Sequence, residues 1–177
     1  MQRALRLLVG PAILLVVVGV RGLSYLKITN LRGQPRPGAL ETFFARTARG
    51  FAIPSATRAR TNPLPPSPEN IAAGMEHYTS YCTMCHGSDG SGQDTAFGNG
   101  LFPKPPDLRA AQTQDLTDGE ILHLIINGVR FTGMPAFGTG EETEADEELA
   151  WQLVHAVRHL PKMTAEEIQE VESKSPL

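Results

Sequence analysis

The sequence predicts an all-α protein: an apolar N-terminal helix of membrane length, a basic, proline-rich connector, and one domain of three to four helices. Three observations predict it. Leu7 to Val20 is an uninterrupted apolar run, the downstream apolar residues recur at helical spacing behind good caps, and no apolar strand precedes Tyr81. The expected segments are 1–26, 27–66, 67–163 and an acidic extension, 164–177. With 177 residues the chain holds one domain of about 100 residues plus appendages.

Arg3 and Arg6 precede the apolar run, which continues through Arg21 to Leu26. Twenty residues of helix, rising about 1.5 Å each, reach across a hydrocarbon core if Arg21 extends to the interface. A signal-peptide core has similar composition, but no small-x-small cleavage site stands beside Arg21, so the segment reads as a retained single-pass anchor. The positive-inside count opposes an outward domain, with Arg3 and Arg6 on one side and Arg21, Lys27, Arg32 and Arg36 on the other.

In the connector, Ala39 to Gly50 can form a short amphipathic helix, Leu40, Phe43 and Phe44 to one side, with Arg46 and Arg49 available to anionic lipid. A partner-bound or loosely ordered segment is the competing reading. Five prolines between Pro54 and Pro68 predict a semi-rigid tether that lets the following domain swing.

That domain opens with Ser67 as N-cap and Pro68 in the first turn, followed by Ile71, Met75, Tyr78 and Cys82 on one face. Gly74 allows another helix to approach closely. A middle helix is expected from Asp118 to Asn127, with Thr117 and Glu120 as a capping box and Gly128 as a left-handed stop. A last long helix is expected from Glu144 to Leu160, acids at its start, Arg158 and His159 at its end, and Trp151 near the edge of its apolar stripe. Thr164 to Lys174 reads as a short acidic helix outside the domain, solvated or used for docking.

Charge is divided along the chain. Residues 1–66 carry ten Lys or Arg against Glu41 alone, whereas residues 67–177 carry six against eighteen acids. An acidic domain is unsuited to nucleic acid, whose phosphates require cations, and suits a partner with a basic face. The glycine-rich stretch Gly87 to Gly100 lacks the Gly-Lys-Ser/Thr ending of a phosphate loop, so no nucleotide is expected.

Cys82-Thr83-Met84-Cys85-His86 is the stretch that specifies a cofactor. Two thiols three positions apart on a helical turn can form thioether bonds to one haem while the following imidazole faces its iron. Zinc requires four Cys or His ligands, and the chain has no third cysteine. A thioredoxin-like pair requires a β-α-β frame. One covalent haem c is therefore expected, with Cys82, Cys85 and His86 as its attachment and iron-binding residues.

Over residues 67–161 the chain resembles the class I c-type cytochromes. The matching features are Gly74, Tyr78 and Cys82 spaced by four, then Cys85-His86-Gly87, the Gly90 and Gly92 turn, Pro105-Pro106-Asp107-Leu108, and Met134-Pro135. The resemblance implies an all-α cytochrome c-like haem domain, with Met134 as the second axial ligand and a crossing of the first and last helices. Ala156 departs from the aromatic often found there. It also implies a proline carbonyl that accepts from His86, for which Pro103 and Pro105 are the candidates. Ile121, Leu124 and Ile125 are expected to wall the haem pocket. Arg109 and Lys104 are the cations near enough in sequence to approach the propionates, against solvated positions for both.

Among the other candidate ligands, Met75 reads as core, Met84 lies within the motif and Met163 follows the last helix. His77 and His123 read as partly exposed. His155 and His159 have the spacing of a metal pair but no third ligand.

Iron between an imidazole and a thioether exchanges one electron without changing ligands, and the neutral sulfur favours the reduced ion. The resemblance thus implies an electron carrier rather than an enzyme, on the outer, periplasmic side of a bacterial cytoplasmic membrane, with redox proteins as partners. It could work freely or as the haem subunit of a dehydrogenase or oxidase. A haem peroxidase or gas sensor would require a displaceable sixth ligand, and no distal acid-base pair is evident.

Overall fold

The computed structural model describes residues 2–29, 37–138 and 144–176 and divides the chain into two units, Met1–Gly33 and Gln34–Leu177. Among the described residues every regular element is helical. The first unit holds α1, Gln2–Thr29. Within it Val9–Ile28 has a mean hydropathy of 1.8 and none of its window is buried, so it is long and apolar enough to cross a membrane.

The second unit contains α2 (Ala39–Ala52), α3 (Ser55–Arg58), α4 (Pro68–His77), α5 (Thr83–His86), α6 (Ala111–Gln114), α7 (Asp118–Asn127), α8 (Glu144–His159) and α9 (Ala165–Lys174). Local capping chemistry sets several boundaries. Ser67 accepts from the Asn70 N–H at the start of α4, and Thr117 with Glu120 forms the expected box at α7. Gly128 ends α7 with φ +65°.

The core forms where α4 and α7 pack on α8. A Cβ on Gly74 would stand 2.0 Å from the Gln152 carbonyl oxygen and 3.3 Å from the Ala156 Cβ, so the two helix backbones meet there. Ala156, itself fully buried, keeps that contact small on the α8 side. Tyr78, Leu122, Trp151, Leu153 and Val154 fill the space around it. Trp151 is only 2% exposed and belongs to this core, not to the edge of the stripe.

The covering of Trp151 corrects the expectation of a swinging tether. Asn62 donates to the Trp151 carbonyl at 2.9 Å, and the Arg60 guanidinium lies 5.3 Å above its ring while pairing with both oxygens of Glu147. Arg58 binds Glu120 at 3.0 Å, Thr117 donates to the Arg58 carbonyl at 2.8 Å, and His155 hydrogen-bonds the Leu64 carbonyl at 3.0 Å. Ile53 is buried. Prolines prevent a long regular element here, but the Arg58 and Leu64 carbonyls and the Arg58, Arg60 and Asn62 side chains bind α8, α7 and the cap of α7. Residues 53–64 form a strap.

The helix expected at Ala39 to Gly50 is present as α2, but its arginines do not face outward as a pair. Arg46 donates to the side chain of Gln112, and Arg49 is half-buried, where burial and Arg46 lower its pKa against the opposing pull of Glu120. The acceptors on α6 and α7 claim that face. The acidic α9 is likewise packed: Val171 is buried, and Ser175 Oγ lies 2.9 Å from Thr83 Oγ1.

Candidate functional site

The attachment segment begins where α4 changes pitch. From Tyr78 to Cys82 the chain makes one π-turn, with the Thr83 N–H donating to the Tyr78 carbonyl. Hydroxyl groups bond back along the helix on both sides of it: Thr79 to Met75 at 2.7 Å, Ser80 to Glu76 at 3.0 Å and Thr83 to Thr79 at 2.8 Å. Such side-chain bonds compete with the ordinary ladder, and the widened turn sits where the cysteines begin.

After the motif three successive carbonyls are held from three directions. Thr95 Oγ1 donates to Cys85 O at 3.1 Å, the Gly92 N–H to His86 O at 2.8 Å, and the Tyr78 hydroxyl to Gly87 O at 2.7 Å. Gly90 and Gly92 have φ of +79° and +66°, and a Cβ on Gly92 would stand 2.7 Å from the Pro105 carbonyl oxygen. The turn therefore presses the motif against Pro105-Pro106. No motif or spacing marks Thr95 for this part.

Cys82 and Cys85 are both free thiols and partly exposed. Burial, then the charge of Cys85, pushes the Cys82 thiol up to about 12, and burial raises Cys85 as well. Neither is a thiolate near neutral pH, which disfavours a reactive redox pair. His86 carries the sharper signal. Its Nδ1 is buried without a hydrogen-bond partner. Burial lowers its pKa, and the Pro106 backbone opposes that shift. The Pro106 backbone therefore lies near the ring, next to the expected Pro105, where the 87–92 turn packs on both prolines. A histidine that binds a metal through one ring nitrogen commonly donates from the other to such a carbonyl.

Met134 lies on the loop after α7. The Val129 N–H donates to Met134 O at 3.1 Å, Thr132 Oγ1 accepts from the Met134 N–H at 3.1 Å, and the Phe137 N–H donates to Ile125 O at 3.1 Å. Met134 and Cys82 pack against one hydrophobic cluster, which includes Ile121, Leu122 and Ile125. Ile121 and Ile125 are buried and Leu124 is half-buried, and Leu122 is buried in the same cluster. Met75, read as core, packs on the cluster, and so does Met163.

The remaining candidates are engaged elsewhere. Arg109 pairs with Asp89 at 2.7 Å and Asp107 at 3.0 Å, and Lys104 donates to the Asn99 carbonyl. His155 is drawn to Leu64 and His159 to Glu167 Oε1 at 3.0 Å, so the two do not form a metal pair. No group of three potential metal-binding side chains occurs among the described residues.

The site thus offers two unpaired cysteines, one imidazole with an orphaned buried nitrogen, and a methionine against the same core, a donor set that fits haem. Residues 69–157, just over half of the chain, match the family described as cytochrome C oxidase, cbb3-type, subunit III. The chain belongs to this family. No curated protein matches it. The matched residues begin inside α4 and end inside α8, so the strap and α9 lie outside them. As a class I c-type cytochrome domain of this family, the chain is all-helical and its general function is electron transfer through haem.

Proposed function

We propose that this cytochrome carries one haem c, joined to Cys82 and Cys85 by thioether bonds and bound axially by His86 and Met134. We infer that α1 holds it in a bacterial cytoplasmic membrane with the haem domain on the periplasmic side. The observation that carries the reading is the His86 ring, whose Nδ1 is buried without a partner immediately after the two free cysteines. The count of one haem rests on the single Cys-x-x-Cys-His motif and on two cysteines in the whole chain.

When bound, the haem supplies one-electron chemistry at its iron. The chain's own residues hold it in place. Cys82 and Cys85 fasten one edge, while the Thr95, Gly92 and Tyr78 bonds keep their backbone from relaxing. His86 keeps its ring plane through Pro106, and the bonded loop around Met134 resists replacement of the thioether by water or gas. Ile121, Leu122 and Ile125 exclude water from the core side.

The family description names an oxidase subunit, which supports a fixed haem subunit of a membrane terminal oxidase over a freely diffusing carrier. The acidic domain suits a basic face on the electron donor or acceptor.

The test is a denaturing gel of membranes from a host able to ligate haem, stained for covalent haem, with optical spectra of the purified protein. We expect a stained band of full chain mass and the weak long-wavelength band of thioether-bound ferric iron. An unstained band refutes attachment. Rapid carbon monoxide binding by the native reduced protein refutes Met134 ligation and favours a sensor or peroxidase. Copurification with oxidase subunits without crosslinking separates the subunit from the free carrier.

A further inference from the structure

We propose that α2 lies in the plane of an anionic bilayer surface with Leu40, Phe43, Phe44 and Phe51 inserted below the head groups. The inference rests on the reading of α1 as a membrane anchor. At helical spacing those four residues fall within an arc of about 100°. They are 69, 62, 61 and 92% exposed, whereas the apolar residues of α7 and α8 such as Ile121, Leu122, Leu153 and Val154 are buried.

The helix is turned inside out for a globular protein. Its polar side faces the domain, through Arg46 on Gln112 and Arg49 near Glu120, and the Arg58 guanidinium donates to the Gly50 carbonyl. Its apolar side is the one left uncovered. An exposed stripe of three phenylalanines and a leucine needs an apolar surface against it.

Chain length and charge select lipid as that surface. Ten residues separate Ile28, the end of the membrane-length segment, from Ala39. Fully extended, they reach at most about 40 Å, so α2 cannot leave the neighbourhood of the interface. From residue 27 to residue 38, directly before α2, the chain carries Lys27, Arg32 and Arg36 and no acid, whereas residues 67–177 are strongly acidic. Anionic head groups attract the first stretch and repel the second, which turns α2 toward the bilayer and the haem domain away from it.

The test uses the full-length haem-loaded protein in vesicles containing one-third phosphatidylglycerol by design. Nitroxide labels go singly on Phe44→Cys, on Val17→Cys within α1, and on Glu166→Cys as a water-exposed control. Collisions with oxygen report lipid and collisions with a water-soluble nickel complex report solvent. We expect the Phe44 label to resemble Val17, with nickel contact at least several-fold below that at Glu166. A Phe44 label as open to nickel as Glu166, with Val17 in lipid, overturns the α2 proposal and leaves the anchor standing. A Val17 label open to nickel overturns both. A Phe44 label shielded from both reagents shows that a second copy or another protein covers the face, and also overturns the proposal. A Phe51→Cys label in a Phe43→Ser, Phe44→Ser background should regain nickel contact with the haem spectrum unchanged. If it stays in lipid, insertion through Phe43 and Phe44 is refuted and the proposal falls.

Discussion

The ring of Phe137 lies 6.2 Å from that of Tyr81, tilted by 59°. Tyr81 immediately precedes Cys82 and Phe137 is three residues beyond Met134, so this contact joins the two ends of the proposed ligand set. His77 stacks on Tyr81 with ring centroids 6.5 Å apart.

Phe137→Ala should therefore loosen the methionine loop without touching the cysteines. We expect a loss of about 1 kcal/mol in stability from the missing aromatic contact. Carbon monoxide should bind the reduced protein faster than in wild type. An unchanged rate would show that the loop is held by its backbone bonds to Ile125 and Ile126 alone.

Met134→Ala should retain covalent haem, lower the reduction potential and open the iron to added ligands. Cys82→Ser with Cys85→Ser should abolish the haem stain. Redox titration and a stained gel check the two variants, and unchanged spectra in the first would assign the axial position to another residue.

Gly74→Ala places a methyl group 2.0 Å from the Gln152 carbonyl oxygen, and a helix backbone cannot step aside cheaply. Calorimetry should show a loss of about 1–3 kcal/mol, the range for overpacking. Gly100→Ala, with nothing within 4 Å, should change stability by less than about 0.5 kcal/mol.

The strap should resist trypsin at Arg58 and Arg60 in the folded protein, since both side chains and the neighbouring carbonyls are engaged with α7 and α8. Asn62→Ala, which removes the bond to Trp151, should speed cleavage there. Rapid cutting of the wild-type protein would restore the picture of a loose tether.

Arg109 holds Asp107 below the usual carboxylate range, chiefly by hydrogen bonding to it. A depressed carboxylate adds stability that is present above its unfolded value, about 3.9, and is lost as pH falls through the lower folded value. Arg109→Ala should move acid unfolding to higher pH. The pair is about one-third exposed, so the change near neutrality should be no more than about 1 kcal/mol. An acid titration followed by circular dichroism measures it.

What the sequence determined by itself was local. The Cys-x-x-Cys-His motif, the caps at Ser67 and Thr117, the stop at Gly128 and the charge division are set by residues within a turn or two, and side-chain chemistry at that range depends little on the rest of the fold. The tertiary structure decided which distant groups meet. It buried the His86 Nδ1, drew Arg109 to two carboxylates, seated Trp151 in the core and laid the proline-rich strap on α8. Asn62 and Trp151 are 89 positions apart, and such a bond exists only because helix packing brings the two backbones together. Periodicity and propensity contain no term for that separation.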